Sequence, residues 1–197
     1  MLKKVLFSRR GVIAMLGGAA LGPLSPIEAI RPLCAAEPIR AAVVYFSRTG
    51  TTAGLARAVS EAARAELFEL KLVEPYASQY SAMTNIARSE RARNARRELV
   101  KPLPDLSGFD LIFLGSPYWW GGLSIPVRTF LMENPLAGKR VAPFVVSASS
   151  SPQGAWADLR ELCPQASIEA GFHVVESEAA GSLGDVRAWA KRLIDAV

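Results

Sequence analysis

Apolar runs of strand length alternate with helix-patterned stretches along most of this chain, and few folds satisfy that rhythm. Ile39–Phe46, Leu67–Leu72, Leu111–Gly115, Val141–Ser147 and Phe172–Glu176 read as strands. Thr51–Ala65, Ser78–Leu99, Ile125–Glu133, Gln153–Leu162 and Asp185–Val197 read as helices. In the last of these, Val186, Trp189, Ala190, Leu193, Ile194 and Val197 form one apolar stripe. Leu111–Gly115 is continuously apolar, which suits a central strand covered on both faces. Strands separated by helices predict βαβ units: a five-stranded parallel sheet with helices on both sides and right-handed crossovers. Such sheets bind ligands at the carboxyl ends of their strands. The chemistry is therefore expected in the loops after Phe46, Gly115 and Ser147.

The chain has 197 residues, 50% of them apolar, enough for one domain with a sizeable core. Its formal charge of +5 is concentrated at the N-terminus. Residues 1–36 carry Lys3, Lys4, Arg9, Arg10 and Arg31 against Glu28, which leaves 18 bases and 17 acids, a net +1, for the rest. No field that would recruit nucleic acid survives that subtraction. The same 36 residues have the layout of an export signal: cations, a mostly apolar run Gly11–Leu24, then small residues Cys34-Ala35-Ala36 before Glu37. The apolar run is shorter than the ~20 residues of a spanning helix. Ser8-Arg9-Arg10 followed by Val12-Ile13 resembles the twin-arginine export motif, departing from it at Val12, where Phe is usual. An ordinary secretory signal and an uncleaved membrane anchor are the alternatives. The expectation is cleavage after Ala36, a mature domain at 37–197 with no stable membrane span, and a periplasmic location, or a membrane anchor if the signal is kept. Cys34 then departs and Cys163 is single, so no internal disulfide forms. Cys163, beside Pro164, reads as a packed thiol rather than a nucleophile.

The first loop is Ser47-Arg48-Thr49-Gly50-Thr51-Thr52, between a strand end and a helix start. A helix N-terminus offers free N–H groups and partial positive charge. The hydroxyls add donors, and Gly50 permits positive φ or close backbone approach. The segment reads either as a phosphate cradle or as a plain helix start capped by Thr51 or Thr52. It lacks the Gly-Lys-Ser/Thr of nucleotide-triphosphate loops, and it is not G-x-G-x-x-G.

S-x-T-G-x-T after a first strand resembles the phosphate loop of flavodoxins. Gly115–Leu131, GSPYWWGGLSIPVRTFL, is similar to the loop after the third strand in flavodoxin-like proteins, in the branch with P-x-W-W-G. EPYASQY, ARSERARNARREL and ELCPQA add to the likeness, which covers roughly residues 39–197. The resemblance implies a flavodoxin-like three-layer α/β sandwich of strand order 2-1-3-4-5, with FMN as cofactor. Ser47, Thr49, Gly50, Thr51 and Thr52 would hold the 5′-phosphate, with Arg48 at a variable position facing water. Pro117, Tyr118, Trp119, Trp120 and Gly121 would flank the ring, whose flat apolar faces suit aromatic side chains. A carbonyl in Tyr118–Gly121 would accept a hydrogen bond from flavin N5–H after reduction. The third loop, Ser147–Gly154, has serines and Pro152 where the branch often has glycines. Ser147, Ala148 and Ser149 would meet the pyrimidine edge.

The remaining signals are weaker. His173, the single histidine, reads as structural. The chain has no G-x-S-x-G elbow, no metal-ligand cluster, and Ser47 where a receiver domain carries Asp. The arginines of Ser78–Arg97 read mostly as a solvated face, or as a docking site for an acidic partner or membrane. The expected function is electron transfer to or from a redox partner protein or a small molecule such as a quinone. The protein would be a shuttle or an FMN-dependent reductase of NAD(P)H or quinone type. The alternative is a flavodoxin fold that binds a partner without FMN.

Overall fold

A computed structural model of the protein describes residues 39–196; the expected export signal at 1–36 lies outside them. The elements run β1 (Ala41–Tyr45), α1 (Thr51–Ala63), β2 (Glu66–Glu69), α2 (Tyr80–Ala92), β3 (Leu111–Trp119), β4 (Gly122–Leu123), α3 (Ile125–Glu133), β5 (Arg140–Ser147), α4 (Gln153–Leu162), β6 (Ser167–Ile168), β7 (Phe172–Val175) and α5 (Leu183–Asp195). Among the described residues no helix is long and apolar enough to cross a membrane.

The sheet has the order β2-β1-β3-β5, with both β6 and β7 parallel to the far edge of β5. This is the expected 2-1-3-4-5, with the fifth position filled by two pieces. The gap falls at Glu169–Gly171, between the pairs Val141↔Ile168 and Phe144↔Phe172. Pro143, inside β5, has no N–H to give a neighbour there. Trp156 closes the gap from above: a methyl group on Gly171 would come within 2.6 Å of its ring.

Two further boundaries lie well away from expectation. β3 does not stop at Gly115, because Ser116 and Pro117 keep pairing with Val145 and Val146. It then turns back through an antiparallel pair with β4. The basic segment is helical over Tyr80–Ala92 and ends before Asn94, whose φ is 49°. Leu99 instead makes an antiparallel bridge to Leu72. Its arginines also divide. Arg88, Arg93 and Arg96 are exposed, as expected, but Arg91 and Arg97 turn inward to Asp158 and Glu90.

The strands are apolar throughout because both faces are covered. Ala42, Val44, Ile112, Leu114 and Val145 point towards α2, α3 and α4, with Met83, Phe130 and Leu159 packed on them. Val43, Phe113, Ala142 and Phe144 point to the other side, against Leu55 and Val59 of α1 and Val186 and Trp189 of α5. Trp189 meets Phe113 edge to face at 5.5 Å and donates its indole N–H to the Ala170 carbonyl at 2.8 Å. Cys163 is buried in the first of these layers, and burial pushes its thiol up to about 11. It is a packing thiol.

Two substitutions test this packing by urea unfolding. Phe113 has no exposed surface, so Phe113→Ala should cost about 3–5 kcal/mol. Gly54 lies inside α1 with nothing within 4 Å of an added Cβ, so Gly54→Ala should stabilise by roughly 0.5–1 kcal/mol.

Candidate functional site

Parallel strands bring their carboxyl ends to one edge, and the three expected loops meet there. A cleft at that edge is lined by Arg48, Thr49, Thr51 and Thr52 from the first loop, Pro117, Tyr118 and Trp119 from the second, and Ser147 and Ala148 from the third. Ser47, Gly50, Trp120, Gly121 and Ser149, also expected at the site, are not among its lining residues. Tyr80, Met83, Val146 and Glu176 complete it, and the sequence reading assigned none of the four to the site.

The first loop resolves between its two readings. The residue before α1 is Gly50, at φ 95°, and no side chain caps the helix. Neither Thr51 nor Thr52 plays that role. The Ser47 hydroxyl accepts from Gly50 N–H at 3.1 Å, which tightens the turn. Among the described residues, no acceptor is found for the N–H groups of Thr51 and Thr52. They remain directed out of the positive end of the helix. Arg48 is half-buried as a residue, and its guanidinium donates to the Ser78 carbonyl at 3.3 Å.

Glu176, just after β7, stands against this loop. Its Oε1 accepts from Thr51 Oγ1 at 3.2 Å and lies 3.5 Å from Thr49 Oγ1. A carboxylate thus holds the hydroxyls assigned to an anion. Sequence could not flag it, because 125 residues separate Glu176 from Thr51.

The second loop is a β-hairpin. Trp119 pairs with Gly122, and the two residues between them, Trp120 and Gly121, have φ of 48° and 90°. Positive φ at both central positions is the turn that matches strand twist. It strains a bulky residue such as Trp120. Trp120 is secured to α2: its indole N–H donates to the Thr84 carbonyl at 2.9 Å and Arg88 lies 5.1 Å over its ring. Its indole therefore faces α2 rather than the cleft, and it remains 46% exposed. Of the two indoles, Trp119 is the one that lines the cleft. Phe46 and Tyr76 hold its ring edge to face at 5.8 and 5.1 Å. Tyr76 is anchored in turn, donating to Glu90 at 2.6 Å. Burial, then that carboxylate, raise the pKa of its phenol, so it stays a donor at any physiological pH.

At the third loop, Ser147 is buried and its hydroxyl donates to the Ser150 carbonyl at 2.8 Å. The same oxygen lies 2.9 Å from His173 Nε2. His173 is thus a structural partner of the loop, as expected. Among the described residues no three His, Cys, Asp or Glu side chains could hold a metal.

A flavodoxin family model matches residues 40–193. The chain belongs to the flavodoxin family. Solved structures agree on the fold. A provisionally assigned flavoprotein from Bacteroides uniformis aligns at TM-score 0.68 and 28% identity, covering 79% of this chain and 99% of that one. A flavoprotein from Lactobacillus acidophilus, solved in complex with FMN, aligns at TM-score 0.62 and 22% identity, covering 74% and 99%. A quinone-type NAD(P)H dehydrogenase from Deinococcus radiodurans is 29% identical over 99 residues, 48% of each chain. This flavodoxin-family chain therefore matches that relative over about half its length.

The hairpin leans on α4. A methyl group on Gly154 would come within 1.8 Å of the Gly121 carbonyl oxygen. Gly154→Ala should therefore displace the hairpin and cost about 1–3 kcal/mol in urea unfolding, with a changed Trp fluorescence spectrum in the folded state.

Proposed function

We propose that this flavodoxin-family protein binds one FMN at the carboxyl edge of its sheet and passes electrons between a donor and a small-molecule acceptor, quinones being the favoured class. The observation that carries this reading is the uncapped N-terminus of α1 opening into a cleft walled by Tyr118 and Trp119. An anion site beside an aromatic wall fits a phosphate joined to a flat ring. Bound FMN supplies the one- and two-electron chemistry.

The chain's own residues bind and orient. The N–H groups of Thr51 and Thr52 and the hydroxyls of Thr49 and Thr51 would hold the phosphate, with Arg48 as the cation of the cleft. Each hydroxyl has one proton, so Thr51 cannot donate to Glu176 and to a phosphate oxygen at once. Phosphate entry therefore exchanges a carboxylate acceptor for a phosphate one. Tyr118 and Trp119 would face the ring, with Pro117 and Gly121 shaping the backbone beside it. Ser147, Ala148 and Ser149 would meet its polar edge.

A reductase is favoured over a protein-to-protein shuttle. Shuttle flavodoxins are typically acidic, whereas residues 37–197 carry a net charge of +1. The partial likeness to a quinone-type dehydrogenase points the same way. The uncapped helix speaks against a binding module without FMN. The signal-free protein, titrated with FMN, should quench the flavin's fluorescence and retain a yellow spectrum after desalting. It should also oxidise a nicotinamide donor when a quinone is present. Thr51→Val should weaken FMN binding about 10-fold or more. Glu176→Gln should strengthen it several-fold while leaving riboflavin, which lacks the phosphate, unchanged. Protein that leaves FMN fluorescence unquenched contradicts the reading.

We also propose export in the folded, flavin-loaded state by the twin-arginine route. Replacing Arg9 and Arg10 by Lys should hold the protein in the cytoplasm on cell fractionation. Undiminished periplasmic protein would point to an ordinary secretory signal.

A further inference from the structure

Behind the ring-side hairpin lies a charged cluster that the binding site does not explain. Asp158, on α4, is 4% exposed. Its two carboxylate oxygens accept from Arg91 of α2, both at 2.8 Å, in a bidentate pair. Its Oδ2 also accepts the backbone N–H of Leu123, at 2.8 Å. Arg128 of α3, 5% exposed, brings Nη1 to 2.5 Å from Oδ1, though not aligned as a hydrogen bond. Its Nη2 donates to Asn94 at 2.8 Å. One carboxylate thus joins three helices to the strand that returns from the Trp120–Gly121 turn. Gly122 is fitted to the cluster: a methyl there would lie 2.1 Å from Asp158 Oδ2 and 2.6 Å from Arg91 Nη2.

Burying charges is costly, and apolar residues of similar volume would hold three helices at least as well. A bidentate ion pair instead fixes direction. Here the direction it fixes is that of a loop backbone, through Leu123. The cluster also carries two guanidiniums for one carboxylate, an excess of positive charge close behind the hairpin.

We propose that Asp158 and Arg91 are positioning residues for the flavin: they hold the Trp120–Leu123 backbone that borders the ring and, with Arg128, raise the ring's reduction potential. This rests on the FMN reading above. The cluster acts on the ring end of the cofactor, since it touches the hairpin, while the phosphate loop is held by separate contacts at Gly50 and Glu176. Loss of the clamp should therefore weaken FMN and riboflavin equally, unlike a change at Thr51.

The test uses signal-free protein: the wild type, Arg91→Ala, Asp158→Asn and, as a control, Arg140→Ala. Arg91→Ala leaves Asp158 facing Arg128, so it carries the test even where Asp158→Asn fails to fold. Arg140, about as buried as Arg91, pairs with Glu169 at 2.6 Å, but at the opposite edge of the sheet, so it reports general destabilisation alone. Dissociation constants for FMN and riboflavin come from fluorescence titration, and midpoint potentials from reductive titration against indicator dyes. The expected result for Arg91→Ala is a rise of fivefold or more in both dissociation constants, by the same factor, with a more negative midpoint. Arg140→Ala should match the wild type in both. Wild-type affinities and midpoint in Arg91→Ala, or the same shifts in Arg140→Ala, would overturn the proposal. Wild-type protein that binds neither flavin removes the FMN reading itself, and the proposal with it.

Discussion

The helix that follows the first strand begins without a cap, and the carboxyl edge of the sheet is organised around that fact. Gly50 takes the left-handed conformation at which the chain turns from β1 back over the sheet, leaving the start of α1 at the edge. The adjacent hydroxyls spend themselves on Glu176 instead of on the helix. The result is a concentration of donors and positive dipole that the protein leaves unmatched by backbone or cap. A helix start of this kind is stable when something else supplies the negative charge. Here a nearby carboxylate does so, and a ligand phosphate would do so more completely.

Everything else near the cleft works to keep surfaces in place. Trp119 is wedged between Phe46 and Tyr76, and Tyr76 is tied to Glu90, which Arg97 binds at 2.7 Å. Arg97 also lies 4.0 Å over the Tyr76 ring. The strained Trp120 is pinned by Thr84 and Arg88, and the strand after it by Asp158. The aromatic wall is thus set by packing and by ion pairs from α2, α3 and α4, and a rigid wall binds a rigid ring at lower entropic cost.

Much of this was legible in the residues. The strands at Ala41–Tyr45 and Leu111–Leu114 are apolar without a break, and sheets covered on both faces require that. α1, α3, α4 and α5 followed from periodicity. The three loops followed from the rule that parallel strands end together. What escaped sequence has identifiable causes. β3 runs on to Trp119 because Ser116 and Pro117 pair with β5, although their polarity and ring read as loop. The last strand splits because Pro143, in a neighbouring strand, withholds a donor. Arg91 looked solvated because its partner Asp158 is 67 positions away, and a basic run shows no sign of distant carboxylates. Trp120 was expected at the ring, but a turn with positive φ sends its indole to α2, and single-sequence reading carries no φ.

The most direct measurement of the central claim is an amide-resolved NMR titration of residues 37–197 with FMN. The account predicts that backbone N–H signals of Thr49–Thr52 and the indole N–H of Trp119 move furthest, with signals from the opposite edge, such as Arg140 and Ser167, unmoved. Binding that leaves Thr51 and Thr52 unshifted would contradict it.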